Sequence, residues 1–194
     1  MNTNKKGLAL LLVLLICVSC APLTSFAAAV PGDTWYSPVL DWALENGYIQ
    51  GLSEADFTPN AQASEAMIAT ALAKLAEADL ATYADAAAWA KEINLLGDRA
   101  FQAETPVSRG DIALMLIRLI DYLGLQFPLT REFLIFADAE TMTQEENAAF
   151  QTLYKLGIFA GRGDMEMDPR SLTTCVELLA LLHRFEGLQE RYTQ

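Results

Sequence analysis

Apolar residues recur three and four positions apart through three long stretches of the chain, and this spacing places them on one face of an α-helix. Each stretch begins directly after a hydroxyl residue able to cap a helix, at Ser64, Ser108 and Thr174. In each case a large apolar residue lies seven positions before the cap, which indicates a repeated unit. The alternation typical of strands does not appear between the stretches. The sequence therefore predicts an all-α fold.

A shorter helix precedes each of these stretches. The pairs Ser108 with Asp111 and Thr143 with Glu146 place a hydroxyl and an acid three residues apart, which is typical of a helix start. The shorter helices are predicted to begin at Ser37, Asp85 and Thr143 and to close at Gly47, Gly97 and Gly157. Three helix-loop-helix units result, and the loop of the middle unit is six residues shorter than the others. The units span residues 30–80, 81–125 and 126–194.

The N-terminal segment has the features of a secretory signal peptide. Two lysines precede an unbroken apolar run over residues 8–18, and small residues follow at 25–29. The run is shorter than the ~20 residues that a membrane-spanning helix needs, and no later segment approaches that length. The sequence thus predicts a signal peptide over 1–29 and a secreted mature chain without a transmembrane helix.

Cys20 allows a second interpretation of the same segment. Ser19-Cys20 is similar to the end of a bacterial lipoprotein signal, in which the cysteine is acylated and becomes the new N-terminus. Cys17 stands where such signals usually carry an aliphatic residue. Lipid attachment at Cys20 therefore remains an alternative to release from the membrane.

Charge and composition narrow the classes of function. The chain has 13 Lys and Arg against 25 Asp and Glu, and loss of the signal peptide would leave 11 against 25, a net charge of −14. Such an acidic protein is not a general nucleic-acid binder, because phosphate contacts need a basic face. His183 is the single histidine, so a catalytic triad or dyad would have to use it. No carboxylate pair can be assigned acid and base roles, and we expect neither an enzyme nor a metal or other cofactor.

Motifs in all three units carry a resemblance to a known family. Each unit has parts of the order aromatic-x-Asp, helix, Gly-x-x-x-Gly, large apolar-x-Pro and a hydroxyl followed by the second helix. The chain from about residue 33 thereby resembles a set of three S-layer homology domains. The matching segments are residues 35–38, 47–51 and 57–59, then 83–85 and 107–111, then 136–138, 157–164 and 167–169.

The resemblance implies a fold and a function. In that family three units form a pseudo-threefold helical bundle, and grooves between the units bind secondary cell-wall polysaccharide and hold surface proteins on the envelope. The second helix of each unit opens with Thr-Arg-Ala-Glu, whose arginine suits an acidic sugar because a guanidinium binds a carboxylate bidentately. Here that arginine position holds Glu65, Arg109 and Cys175, so only Arg109 matches.

These positions lead to two hypotheses for function. The first is a non-catalytic, cell-surface module that binds secondary cell-wall polymer, or an acidic polysaccharide linked to peptidoglycan, through a groove near Arg109. The second is a degenerate member of the same fold with a structural role or with surface proteins as partners, favoured by Glu65 and Cys175. Under the first hypothesis, Glu65→Arg is expected to strengthen binding. The candidate ligand-binding residues are Arg109, Ser108, Asp111, Trp42, Gly51 and Gly161.

Overall fold

A computed structural model describes residues 34–49, 58–78, 80, 82–132 and 134–192 of the chain. This part contains six α-helices, two short 3-10 turns at Ala139–Thr141 and Gly163–Met165, and no strand, which confirms the all-α prediction. None of its helices is long and apolar enough to cross a membrane. The predicted signal peptide, Cys20 and Gly51 lie outside the described residues. The helices are α1 (Ser37–Glu45), α2 (Glu65–Leu75), α3 (Tyr83–Glu92), α4 (Arg109–Tyr122), α5 (Gln144–Lys155) and α6 (Cys175–Tyr192).

The helix starts follow from hydrogen bonds made within the first turn. The Ser64 hydroxyl accepts from the backbone N–H of Met67 at 3.4 Å, and the Ser108 hydroxyl accepts from that of Asp111 at 3.1 Å. The predicted capping box before α5 also forms. Such caps satisfy backbone donors that have no partner inside the helix. The long helices therefore begin where the sequence predicts.

The bounds of α3 differ from the prediction. The helix begins at Tyr83, two residues before the expected start, because Thr82 and Asp85 form a capping box. It ends at Glu92, and the chain continues in turns to Gly97, where φ is +64°. The expected start at Asp85 was in fact the third residue of the helix, whose carboxylate accepts from the Thr82 backbone N–H at 2.8 Å.

The closest helix pairs join neighbouring units. α2 packs against α3, α4 against α5, and α1 returns to pack against α6. In each pair the second helix of one predicted unit lies against the first helix of the next, and the last unit meets the first. The apolar faces consequently share one core, in which Phe136, Phe150, Phe159 and Phe185 are fully buried. Burying each such side chain contributes about 1.5–3 kcal/mol.

Three buried residues connect the units through a ring of backbone hydrogen bonds. The N–H of Ala63 donates to the carbonyl of Thr173 at 2.8 Å, that of Thr173 to Val107 at 2.8 Å, and that of Val107 back to Ala63 at 3.1 Å. Each residue stands directly before the cap of a long helix. Because buried backbone groups must be paired, this ring holds the three helix starts in one register. The pseudo-threefold packing of the whole bundle stays a prediction.

Candidate functional site

Arg109 lies in the first turn of α4 and reaches into the loop of the third unit. Its Nε donates to the carbonyl of Met167 at 2.9 Å, and its Nη2 donates to that of Ala160 at 3.3 Å. The guanidinium carbon lies 5.3 Å from the centroid of the Phe159 ring. Only 6% of the residue is exposed. Arg109 therefore ties the loop of the third unit to the helix of the second.

The charges around this arginine come from the same loop and from α6. Burial lowers the pKa of Arg109, and the charge of Arg162 lowers it further, whereas Glu177 and Asp168 oppose the shift. Arg162 forms ion pairs with Asp168 at 3.4 Å and with Glu177 at 2.6 Å. An arginine remains protonated at neutral pH even after such a shift. The site is therefore a buried cation beneath an exposed arginine that two carboxylates neutralise.

Gly161 closes the loop above Arg109. A Cβ at this position would lie 3.0 Å from the carbonyl oxygen of Glu166, closer than nearly all real contacts. The next residue, Arg162, donates its N–H to that same carbonyl at 2.7 Å. A residue without a side chain is needed because two segments of the loop backbone approach so closely. Gly161 thus shapes the site and is itself exposed.

Ser108 and Asp111, two further candidate binding residues, stabilise the start of α4. The Ser108 hydroxyl donates to the Asp111 carboxylate at 2.6 Å while it caps the helix. The other oxygen of that carboxylate lies 3.6 Å from Arg99. Both side chains are only half-buried. Their polar atoms are engaged in local contacts, so a ligand at Ser108 or Asp111 would compete with the helix cap.

Trp42 contacts a different part of α6. Its indole N–H donates to the Glu186 carboxylate at 2.7 Å, and its ring stacks on Tyr48 at 4.7 Å and meets His183 at 4.9 Å. On α6, the charges that act on Arg109 are those of Glu177 and Arg184, whereas Trp42 contacts His183 and Glu186. The structure thus brings Arg109 and Gly161 together, and Trp42 makes its contacts with other side chains of α6.

The positions equivalent to Arg109 are buried and occupied by structural contacts. Glu65 is 1% exposed, and its two oxygens accept from Arg99 at 2.9 Å and from the backbone N–H of Gln102 at 2.7 Å. Cys175 is 4% exposed, and burial raises the pKa of its thiol. An arginine at position 65 would face Arg99 and would remove one of the two carboxylates that Arg99 pairs with, leaving Asp111. This burial argues against the expected gain in binding from Glu65→Arg.

Three further arginines were not expected from the sequence to form a site. Arg131, Arg184 and Arg191 line a cavity of about 520 Å³ between the end of α5 and the second half of α6. The seven-residue interval between Arg184 and Arg191 is a helical spacing that places both side chains on one face. From this interval alone, the sequence could have predicted that Arg184 and Arg191 lie on one face of α6. Arg131 comes from the connection before α5, which no local pattern links to α6.

Comparisons with known proteins identify no family. No known family model matches the chain, and no curated protein sequence does so at a meaningful level. Among the described residues, no cluster of His, Cys, Asp and Glu side chains could hold a metal ion.

Proposed function

We propose that this chain is a secreted, non-catalytic module of the cell envelope that binds an acidic secondary cell-wall polysaccharide without covalent attachment. The observation that supports this function most directly is the position of Arg109. Its guanidinium joins the second unit to the loop of the third, at the motif position that the resemblance assigns to the groove. The polymer would lie along this loop, between the two units.

The contacts around the loop indicate how a ligand would be held. Arg109 is 6% exposed and already donates to two carbonyls, so it shapes the groove from below. Arg162 lies at the surface with 42% of its side chain exposed. A sugar carboxylate would exchange places with Asp168 or Glu177 on this arginine, and such an exposed exchange yields little free energy. Binding at a single groove should therefore be weak.

Glu65 and Cys175 favour a second function for the same fold. Neither residue offers a guanidinium, and both are buried, so the multivalent gain from three equivalent grooves is absent. The second candidate is a structural or protein-interaction module of the envelope, with lipid attachment at Cys20 as a variant. It would present its surface to other envelope proteins rather than to polymer.

A sedimentation assay separates the two candidates. The purified full chain is mixed with peptidoglycan sacculi of the source organism, either intact or acid-extracted to remove the secondary polymer. Polymer binding predicts retention on intact sacculi and its loss after extraction. Arg162→Gln should weaken retention about fivefold, which corresponds to ~1 kcal/mol. Arg118→Gln is the matched control, because Arg118 also pairs with a carboxylate, Glu145, but lies on α4 away from the loop.

The thermal unfolding midpoint of each variant completes the assay. Arg109→Ala alone is a poor test, since it leaves the carbonyls of Met167 and Ala160 without their donors and should destabilise the loop. Equal retention of the wild-type chain on intact and extracted sacculi, or no retention on either, would contradict polymer binding. The second candidate would then be tested by crosslinking the chain to envelope proteins.

A further inference from the structure

The arginines of the chain are distributed unevenly between paired and unpaired positions. Of the eight arginines, four form ion pairs and Arg109 is bonded to carbonyls. In the described part of the chain, the other three have no carboxylate within ion-pair distance. All three line the same cavity of about 520 Å³. These residues are Arg131, Arg184 and Arg191.

Arg131 is held over the end of α5 by its neighbour in the chain. The backbone N–H and the hydroxyl of Thr130 both donate to the Lys155 carbonyl, at 3.0 and 3.1 Å. The Arg131 guanidinium carbon lies 5.2 Å from the centroid of the Tyr154 ring. Its Nη2 lies 3.4 Å from the position that a Cβ on Gly157 would take. The guanidinium therefore rests on an aromatic ring and a bare turn of backbone.

Arg184 and Arg191 approach the cavity from α6. Arg184 donates one Nη1 bond to the Ile158 carbonyl at 3.0 Å, and Arg191 donates its Nε to the Gly187 carbonyl at 2.7 Å. A guanidinium has five N–H donors, so each keeps several for another partner. Burial lowers the pKa of Arg184, and the charge of Arg131 lowers it further. The two cations thus lie close enough to repel each other.

The rest of the lining does not neutralise these charges. Glu190 is the carboxylate of the described lining, and it is exposed to solvent. His183 lies at the edge, where its ring meets Trp42. Three guanidinium groups against one exposed carboxylate leave a local positive charge in a strongly acidic protein. Such a local excess attracts anions although the whole molecule repels them.

We propose that this cavity is a binding site for an oxoanion, that is, a carboxylate or phosphate group carried by a small molecule or by one residue of a polymer. Guanidinium groups bind both anions through paired, charge-assisted hydrogen bonds. A volume of about 520 Å³ lies within the range of small-molecule sites. Arg109 is not part of this lining, although Gly157 begins the loop that Arg109 contacts and the charge of Arg184 acts on Arg109. The proposal rests on Arg131, Arg184 and Arg191 and does not require the proposed polysaccharide groove.

A purely structural explanation accounts for part of the cluster. A cation near the C-terminus of a helix is stabilised by the helix dipole, and Arg184 bonds a carbonyl just beyond the end of α5. The same explanation covers Arg191, which lies in the last turn of α6 and donates to the Gly187 carbonyl. It does not account for the convergence of all three arginines on one cavity. It predicts that the cations affect stability and do not bind anions, so a direct measurement of anion binding separates it from the binding-site proposal.

Calorimetric titration of the purified full chain at constant ionic strength tests the site. Inorganic phosphate and galacturonate are titrated separately, and their affinities show which oxoanion is preferred. Arg184→Gln and Arg131→Gln should each weaken binding about tenfold, as expected for the loss of a charge-assisted hydrogen bond. Lys91→Gln, an exposed residue of α3, is the control that removes the same charge elsewhere. Its affinity should equal that of the wild-type chain.

A pair of substitutions at Gly187 keeps the arginines in place. A Cβ at Gly187 would meet no atom within 4 Å, so Gly187→Ala should preserve binding and raise helix stability. Gly187→Glu adds a carboxylate beside the arginines and should reduce binding at least about tenfold while the chain stays folded. The proposal is overturned if neither anion binds with a dissociation constant of about 10 mM or lower. It is also overturned if Lys91→Gln weakens binding as much as Arg184→Gln does.

Discussion

Glu65 offers the sharpest test of how the first unit is held. Glu65→Gln keeps the shape of the side chain but replaces one carboxylate oxygen by an NH₂ group. The two oxygens now accept from Arg99 at 2.9 Å and from the Gln102 N–H at 2.7 Å. An amide has one acceptor, so one of the two donors would face another donor. Glu65→Arg removes both acceptors and places a second cation beside Arg99.

The magnitude follows from the exposure of each partner. The Gln102 N–H is bonded to a carboxylate that is 1% exposed, and leaving such a donor unpaired costs about 1–3 kcal/mol. Arg99 is 45% exposed, so solvent screening reduces the ion pair to about 1 kcal/mol or less. Glu65→Gln should therefore lower the free energy of unfolding by about 1–3 kcal/mol, depending on which donor keeps the amide oxygen. Glu65→Arg should lower it further, because burying an unpaired charge costs more than losing a hydrogen bond.

Urea unfolding followed by circular dichroism measures this loss. With an m-value of about 2 kcal/mol/M, Glu65→Gln should shift the midpoint down by roughly 0.5–1.5 M. Glu104→Gln makes the same charge change at an exposed residue and should stay within about 0.5 kcal/mol of the wild-type chain. Equal midpoints for the two variants would refute the reasoning, as would a Glu65→Arg chain of wild-type stability.

Three further predictions concern the other units. Gly110→Ala should lower the free energy of unfolding by about 1–3 kcal/mol, because its Cβ would lie 2.7 Å from the Glu146 carboxylate. The loss is measured as a lower thermal unfolding midpoint. Burial alone would raise the pKa of Glu146, but hydrogen bonds from Arg170 and Thr143 outweigh it and lower the pKa below its ordinary value of 4.5. The stabilisation from the ionised carboxylate should therefore be complete above that pH and should decline as the pH falls. The decline should be smaller in Arg170→Gln. Because burial raises the pKa of Cys175, native protein should react with iodoacetamide about a hundredfold more slowly than urea-unfolded protein.

Local contacts explain why most helix starts could be predicted. The caps at Ser64 and Ser108 are bonds between residues three apart, so a short stretch of sequence contains both partners. The start of α3 is predicted two residues too late, because Asp85 is the third residue of the helix and Thr82 provides the cap. A motif match likewise placed Arg109 at the junction of two units. It did not reveal that Arg109 is buried.

Burial and charge pairing depend on residues that are far apart in the chain. Arg99 and Glu65 are 34 positions apart, and Arg109 and Met167 are 58 apart, so no local pattern predicts either contact. Composition and periodicity are enough to establish an acidic, all-helical chain, because helix caps and apolar faces act over one or two turns. The cavity arginines were brought together by the tertiary structure, because the connection before α5 lies against the end of α5 and Arg184 of α6 bonds the turn that follows α5. Their charges meet only when the chain is folded, since Arg131 and Arg184 are far apart in the sequence.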